Sequence, residues 1–203
     1  MIDFILASTS PARKKLLLEA GIKFRTLAPG VDEDEMVAIE RPKGPEELTI
    51  LLAKAKAQAI STAEVNSLVL GCDSALFFNG EILGKPLSED VAAARWRQMR
   101  GKSGLLYSGH HLIYGPEDTE VSLATSTEVH FADLTDAQID RYVATKEPLQ
   151  VAGAFTIDGL GGAFVEKISG DYHTVVGLSL VGLRKMMTDL GLDYLSLFRL
   201  TIC

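Results

Sequence analysis

A chain of 203 residues, 47% hydrophobic and 23% charged, has enough apolar material for one large domain or two joined lobes with a substantial core. Its formal net charge of -7 argues against general affinity for nucleic acid or anionic membrane, because those partners need a basic face making many phosphate contacts. Two cysteines, Cys72 and Cys203, suggest neither a disulfide framework nor a zinc site; with no leader pattern and no run of membrane-spanning length, a soluble protein of the reducing cytoplasm is expected.

Phe4 to Ala7 has the apolar character of a buried strand and stops at Ser8-Thr9-Ser10. Ser10 is a good N-cap and Pro11 suits a first helical position, so a helix is expected from Pro11 to Ala20, with Leu16 and Leu17 inward and Gly21 closing it. The stretch from Ser8 to Arg13 is then either an anion-binding corner, made of unpaired N–H groups, hydroxyls and the Arg13 charge, or an ordinary capped helix with a solvated basic face. A strand at Lys23 to Leu27 follows. Pro29 to Pro45, with its prolines, glycines and the acids Asp32-Glu33-Asp34-Glu35, reads as a long loop with at most a helical turn. Glu46 to Glu64 has helical composition, with Leu48, Leu51, Leu52, Ala55 and Ala59 on one face and Lys54 and Lys56 pointing in different directions.

Ser67 to Gly71 reads as a buried strand ending at Cys72-Asp73-Ser74, and Asn79-Gly80 signals a type I′ hairpin between Phe77-Phe78 and Glu81-Ile82. Ser88 caps a helix from Glu89 to Arg100. Leu105 to Tyr114 and Val121 to Phe131 form a long hairpin, and Thr135 with Gln138 has capping-box spacing for a helix to about Thr145. Ala154 to Ile157 and Ala163 to Ile168 read as strands around Gly159 to Gly162, and a final helix is expected from Leu178 to Leu190. This order predicts an α/β fold with a mixed central sheet flanked by helices, residues 1–203 forming one domain of two lobes around a cleft with no clear linker.

The polar features at element ends are Ser8 to Arg13, Glu33, Asp73 and Lys85, and open α/β sheets place ligands at strand ends. Acids there can hold a divalent cation or a water while lysine and arginine neutralise a polyphosphate. Each also has a structural reading: Asp73 as a turn cap, Glu33 as a solvated acid, Lys85 as a hairpin-exit charge. Gly80 to Pro86 lacks Walker spacing, Gly159 to Gly162 lacks the dinucleotide fingerprint, and the adjacent His110 and His111 point to opposite faces of a strand as surface or packing residues.

The ordered set Leu-Ala-Ser-Thr-Ser-Pro-Ala-Arg at 6 to 13, Val-Asp-Glu at 31 to 33, Leu-Ala-Lys-Ala-Lys-Ala at 52 to 57, Gly-Cys-Asp-Ser at 71 to 74 and Gly-Lys-Pro at 84 to 86 resembles the Maf family of nucleoside triphosphate pyrophosphatases. Leu-Tyr-Ser-Gly at 106 to 109, Asp-Arg-Tyr-Val at 140 to 143, Val-Ala-Gly-Ala-Phe at 151 to 155, Gly-Leu-Gly-Gly at 159 to 162 and the run from Gly170 to Leu178 extend the resemblance over nearly the whole chain. It implies a two-lobed fold, often dimeric, and metal-dependent conversion of a nucleoside triphosphate, non-standard or modified ones included, into a monophosphate and pyrophosphate.

By motif position the resemblance implies phosphate binding by Ser8 and Arg13, service to the metal and attacking water by Glu33 and Asp73, and phosphate neutralisation by Lys56 and Lys85. The cofactor implied is Mg2+ or Mn2+. Base selection is implied at Ala12, Ser74 and Asp158, where relatives preferring thymidine and uridine carry Arg, Thr and Gln and those preferring 7-methylguanosine carry Trp, Gln and Glu; this chain follows neither set, and Gly-Leu-Ser at 177 to 179 replaces the common Gly-Leu-Pro. A homodimer is expected. The alternative to catalysis is a nucleotide-binding regulator of division or septum formation without turnover.

Overall fold

The computed structural model describes residues 2–198. Cys203 lies outside the described residues. The described residues form a seven-stranded mixed sheet flanked by helices, of order β2 (Arg25–Leu27), β1 (Phe4–Ala7), β3 (Leu68–Phe78), β5 (Ser103–Tyr114), β6 (Thr119–Phe131) and β7 (Val165–Ser169), with β4 (Glu81–Leu83) pairing β3. Two compact units divide it: residues 1–73, 108–125 and 177–203 make the first, residues 74–107 and 126–176 the second. Among the described residues no helix is long and apolar enough to cross a membrane.

In the first unit β1 (Phe4–Ala7) runs parallel to β2 (Arg25–Leu27) on one side and to β3 (Leu68–Phe78) on the other, Ala7 standing level with Leu27 and Gly71. Helix α1 (Pro11–Glu19) supplies the crossover, capped by Ser10 and stopped where Gly21 takes a φ of 74°. The 29–45 segment is not a loop with one turn: Glu33–Glu40 is a helix, α2, whose N-cap Asp32 accepts from the Glu35 amide at 3.0 Å. Acids in its first turn complement the helix dipole, which outweighs their loop-like composition.

Helix α3 (Pro45–Ser61) lies against β3 and β5 (Ser103–Tyr114) with almost no gap. A Cβ at Gly71 would strike the Ala53 carbonyl and one at Gly109 the Thr49 backbone, so only glycine admits this approach. The buried face of α3 runs through Thr49, Leu52, Ala53, Ala55, Lys56 and Ala57, so of the expected face Leu52 and Ala55 are buried, while Leu48 and Leu51 are half-buried and Ala59 is exposed. Helix α7 (Leu180–Asp189), capped by Ser179, completes this unit.

β3 is continuous, so Asp73 sits inside a strand and not at its end. The second unit takes its far half, turns at Asn79 and Gly80, both at positive φ as a type I′ turn requires, and returns as β4 (Glu81–Leu83). Helices α4 (Glu89–Met99) and α5 (Asp136–Ala144) pack a core of Trp96, Met99, Ile139, Tyr142 and Phe155 with Phe131 of β6 (Thr119–Phe131), and α5 carries the complete Thr135/Gln138 capping box. The expected strand at Ala154 to Ile157 is absent. Gly153 and Ala154 are consecutive left-handed residues, which no strand accepts, and the Trp96 indole fixes the bend by donating to the Ala154 carbonyl at 2.7 Å. β7 (Val165–Ser169) pairs antiparallel with β6, and a short helix α6 (Tyr172–Val176) follows, begun by Asp171 accepting from the His173 amide and the Thr174 hydroxyl.

Candidate active site

Beyond Ala7 the chain turns back on itself: the Ser8 amide donates to the Leu6 carbonyl at 3.0 Å, and the Ser8 hydroxyl accepts from the Ser10 amide at 3.1 Å. One turn into α1 stands Arg13, buried despite its charge, with Nε donating to the Gly177 carbonyl at 2.8 Å and Nη1 3.5 Å from the Ser8 hydroxyl. Hydroxyls, a fixed guanidinium and the positive end of a helix thus meet at the carboxyl end of β1, where the chain leaves for β2 on one side while β3 lies on the other. Ser8, Thr9, Ser10 and Lys14, with Thr26, Leu27 and Ala28, line an open depression of about 310 Å³. Of the basic residues concentrated near the amino end, Arg25 is engaged elsewhere, on Asp3 at 2.5 Å and Glu64 at 2.9 Å.

The second group centres on Lys56. Because α3 rests on Gly71, one turn of helix carries Lys56 to the next residue but one on the same strand, and its ammonium is 2.6 Å from Asp73 and 2.8 Å from Glu33, the first residue of α2. Lys56 is buried, and an ammonium there is tolerable only because two carboxylates meet it. Burial pushes the Asp73 carboxyl above its ordinary range; the charges of Lys56 and Arg13 oppose that and the Glu33 carboxylate adds to it. The pull of Arg13 on Asp73 ties the serine corner to the carboxylate pair electrostatically. Neighbouring Cys72 is fully buried and its thiol is pushed up to about 12, so it stays protonated.

Ser8, Arg13, Glu33, Lys56 and Asp73 all belong to the first unit. Ser74, Lys85 and Asp158 belong to the second: Ser74 continues β3, Lys85 is exposed in the segment after β4, and Asp158 is half-buried in the turn before Gly159. That turn has an organiser the sequence did not reveal. One carboxylate oxygen of Glu147 accepts from the Tyr142 hydroxyl (2.9 Å), the Thr156 hydroxyl (2.6 Å) and the Gly161 amide (2.9 Å), and the other from the Leu160 amide (2.9 Å). The same segment secures the stretch that bears Lys85, through Gly153 N–H to the Gly84 carbonyl at 3.2 Å and Leu87 N–H to the Leu149 carbonyl at 3.1 Å. Glu147 precedes a proline in a stretch without periodicity, and only the pairing of a lone acid with a later Gly-x-Gly-Gly run hinted at it.

His110 and His111 are both buried: His110 accepts the Ser179 amide at 2.9 Å, and His111 meets the Ser122 hydroxyl at 2.7 Å. They are packing residues, and burial holds His111 below its ordinary range. Among the described residues no three His, Cys, Asp or Glu side chains gather as a metal cage. Two carboxylates converging on one cation, as Glu33 and Asp73 do on the Lys56 ammonium, do fit an ion such as Mg2+, which commonly takes one or two protein carboxylates and fills its other places with water and phosphate oxygens.

Fold and site together define an α/β protein with a serine and arginine corner at the carboxyl end of β1 and a charge-paired group on β3, α3 and the start of α2. A family model described as Maf-like protein matches residues 3–190. The chain is 50% identical over 202 residues to a nucleoside triphosphate pyrophosphatase of Salinispora tropica, covering 97% of this chain and 88% of that one. It is 45% identical to one of Leifsonia xyli subsp. xyli, covering 95% of each chain, and 46% identical to one of Streptomyces coelicolor, covering 92% of this chain and 90% of that relative. The chain belongs to the Maf-like protein family.

Proposed function

We propose that this protein is a nucleoside triphosphate pyrophosphatase, hydrolysing the bond between the α- and β-phosphates to give a nucleoside monophosphate and pyrophosphate. The observation that carries the reading is the Lys56 ammonium held between Asp73 and Glu33, within the field of Arg13, in a chain whose relatives bear that name. Arg13, Ser8 and the start of α1 bind phosphate oxygens, and Lys56 and Lys85 neutralise the triphosphate. Asp73 orients the attacking water and takes its proton, a role favoured by a carboxyl that burial makes more basic than usual. Glu33 and Asp73 would hold Mg2+ or Mn2+, which when bound supplies charge neutralisation on the phosphates.

Asp158 and Ser74 are the base-recognition residues in this reading. The ordered motif set supports a non-standard or modified nucleotide as substrate, and because Ala12, Ser74 and Asp158 follow neither subgroup's set, the nucleotide panel decides the base. A cytoplasmic setting fits the free, buried Cys72. We take the protein to be a homodimer, which light scattering at micromolar concentration tests by mass. Incubation with a panel of standard and modified nucleoside triphosphates, resolving phosphate products, decides the reaction. Pyrophosphate with monophosphate is expected; orthophosphate release, or binding without turnover across the panel, overturns it.

A further inference from the structure

We propose that Glu147 is a positioning residue that pins the turn bearing Asp158 and thereby sets nucleoside selectivity; this rests on the reading of Asp158 as a base-recognition residue. The turn is held from both sides. Thr156 precedes Asp158 by two residues and Leu160 follows it by two, and both donate to the Glu147 carboxylate, as does Gly161 one residue further. A carboxylate is suited to this point because it accepts at two oxygens and donates nothing, so four converging donors are satisfied by one side chain.

The wrapping is also steric. A Cβ at Gly159 would lie 2.6 Å from the Glu147 carboxylate, and one at Gly161 would strike the Tyr142 hydroxyl, so the chain closes on Glu147 more tightly than any side chain allows. Tyr142 roots the assembly in the core of its unit, edge-on to Trp96 and Phe164. Burial and the adjacent carboxylate push the Tyr142 phenol well up, which keeps it a donor. Burial alone would raise the Glu147 carboxyl, but the Thr156 hydroxyl and the amides of Gly161 and Leu160 outweigh it and hold the group ionised.

A polar group rejects a wrong base only if it cannot swing aside to relieve an unpaired contact, so pinning the turn is what turns Asp158 from a flexible acid into a selective one. Glu147→Gln places an amide N–H against a donor, Glu147→Ala removes all four bonds, and Tyr142→Phe removes one donor while leaving the carboxylate. The experiment compares kcat/KM over the nucleotide panel for wild type and these variants, with inorganic tripolyphosphate as a competitive inhibitor reporting the phosphate end alone and thermal melting reporting the fold. Expected is a fall of about tenfold or more in the ratio between preferred and poor nucleotides for Glu147→Gln, a smaller fall for Tyr142→Phe, and an unchanged tripolyphosphate inhibition constant. If Glu147→Ala does not fold, the other two variants carry the test. A ratio unchanged in both, or equal losses on every nucleotide and on tripolyphosphate, overturns the inference while leaving the reaction standing. Absence of pyrophosphate release from any nucleotide by wild type overturns the reaction and the inference with it.

Discussion

Asp73 owes its character to what surrounds it. Half-buried and raised above the ordinary value of about 4, its carboxyl should titrate above the usual carboxylate range in the metal-free protein, as an NMR titration without Mg2+ would show. Lys56→Met removes the main charge holding that value down, and the same metal-free titration should move further up. Asp73→Asn should cost about a hundredfold or more in kcat while equilibrium binding of the nucleotide persists. Stability supplies an independent check of sign. Between the unfolded and the raised folded pKa the native state holds the extra proton, so Asp73 makes folding less favourable as pH rises through that window. The melting temperature of Asp73→Asn relative to wild type should therefore be higher at pH 7 than at pH 4; the opposite order would mean that Lys56 and Arg13 outweigh burial.

Helix α3 is the element on which the charged centre depends, because Gly71 and Gly109 let it lie directly on the sheet. Gly71→Ala has to lift the helix off β3, an overpacking cost of roughly 1–3 kcal/mol, or several degrees of melting temperature. Since Lys56 rides on that helix, kcat should fall well below what the stability loss explains, whereas the exposed Ala59→Gly on the same helix should lower stability only. Elements with strong local chemistry were legible in the sequence: the Ser10-Pro11 start of α1, the Asn79-Gly80 hairpin, the Thr135/Gln138 box. What was not legible was fixed from a distance. The Asp32-x-x-Glu35 spacing of a capped helix lay hidden in an acidic, proline-flanked stretch. Asp73 read as a strand end because a charged residue inside a buried strand makes sense only with Lys56 opposite it, and Lys56 is brought there by a helix packing choice made at Gly71. The left-handed Ala154 carries no mark in its own sequence; Trp96 imposes it. Motif resemblance had nonetheless grouped Ser8, Arg13, Glu33, Lys56 and Asp73, and the structure places all five in the first unit, with Lys56 ion-paired to Glu33 and Asp73.

For the molecule as a whole, a ligand that binds only the native state should raise its melting temperature by mass action. At a hundred times its dissociation constant the gain is about 2.7 kcal/mol, or roughly 5–10 °C for a chain of this length. A non-hydrolysable nucleotide with Mg2+ should produce such a shift, and chelating the metal should remove most of it; a shift indifferent to chelation would count against ligation by Glu33 and Asp73. The division into units has a further consequence. The first unit is assembled from three separated stretches, the last beginning at Gly177, and that residue's carbonyl is the partner of Arg13, 164 positions earlier. During synthesis at about 5–20 residues per second, Arg13 therefore waits roughly 10–30 seconds for the group that orients it. A nascent or prematurely ended chain carries the serines, the lysine and both acids of the site, yet lacks the contact that fixes the guanidinium. Orientation of Arg13 is thus coupled to synthesis past Gly177, and ribosome-stalled fragments that end before it are expected to be inert toward nucleoside triphosphates.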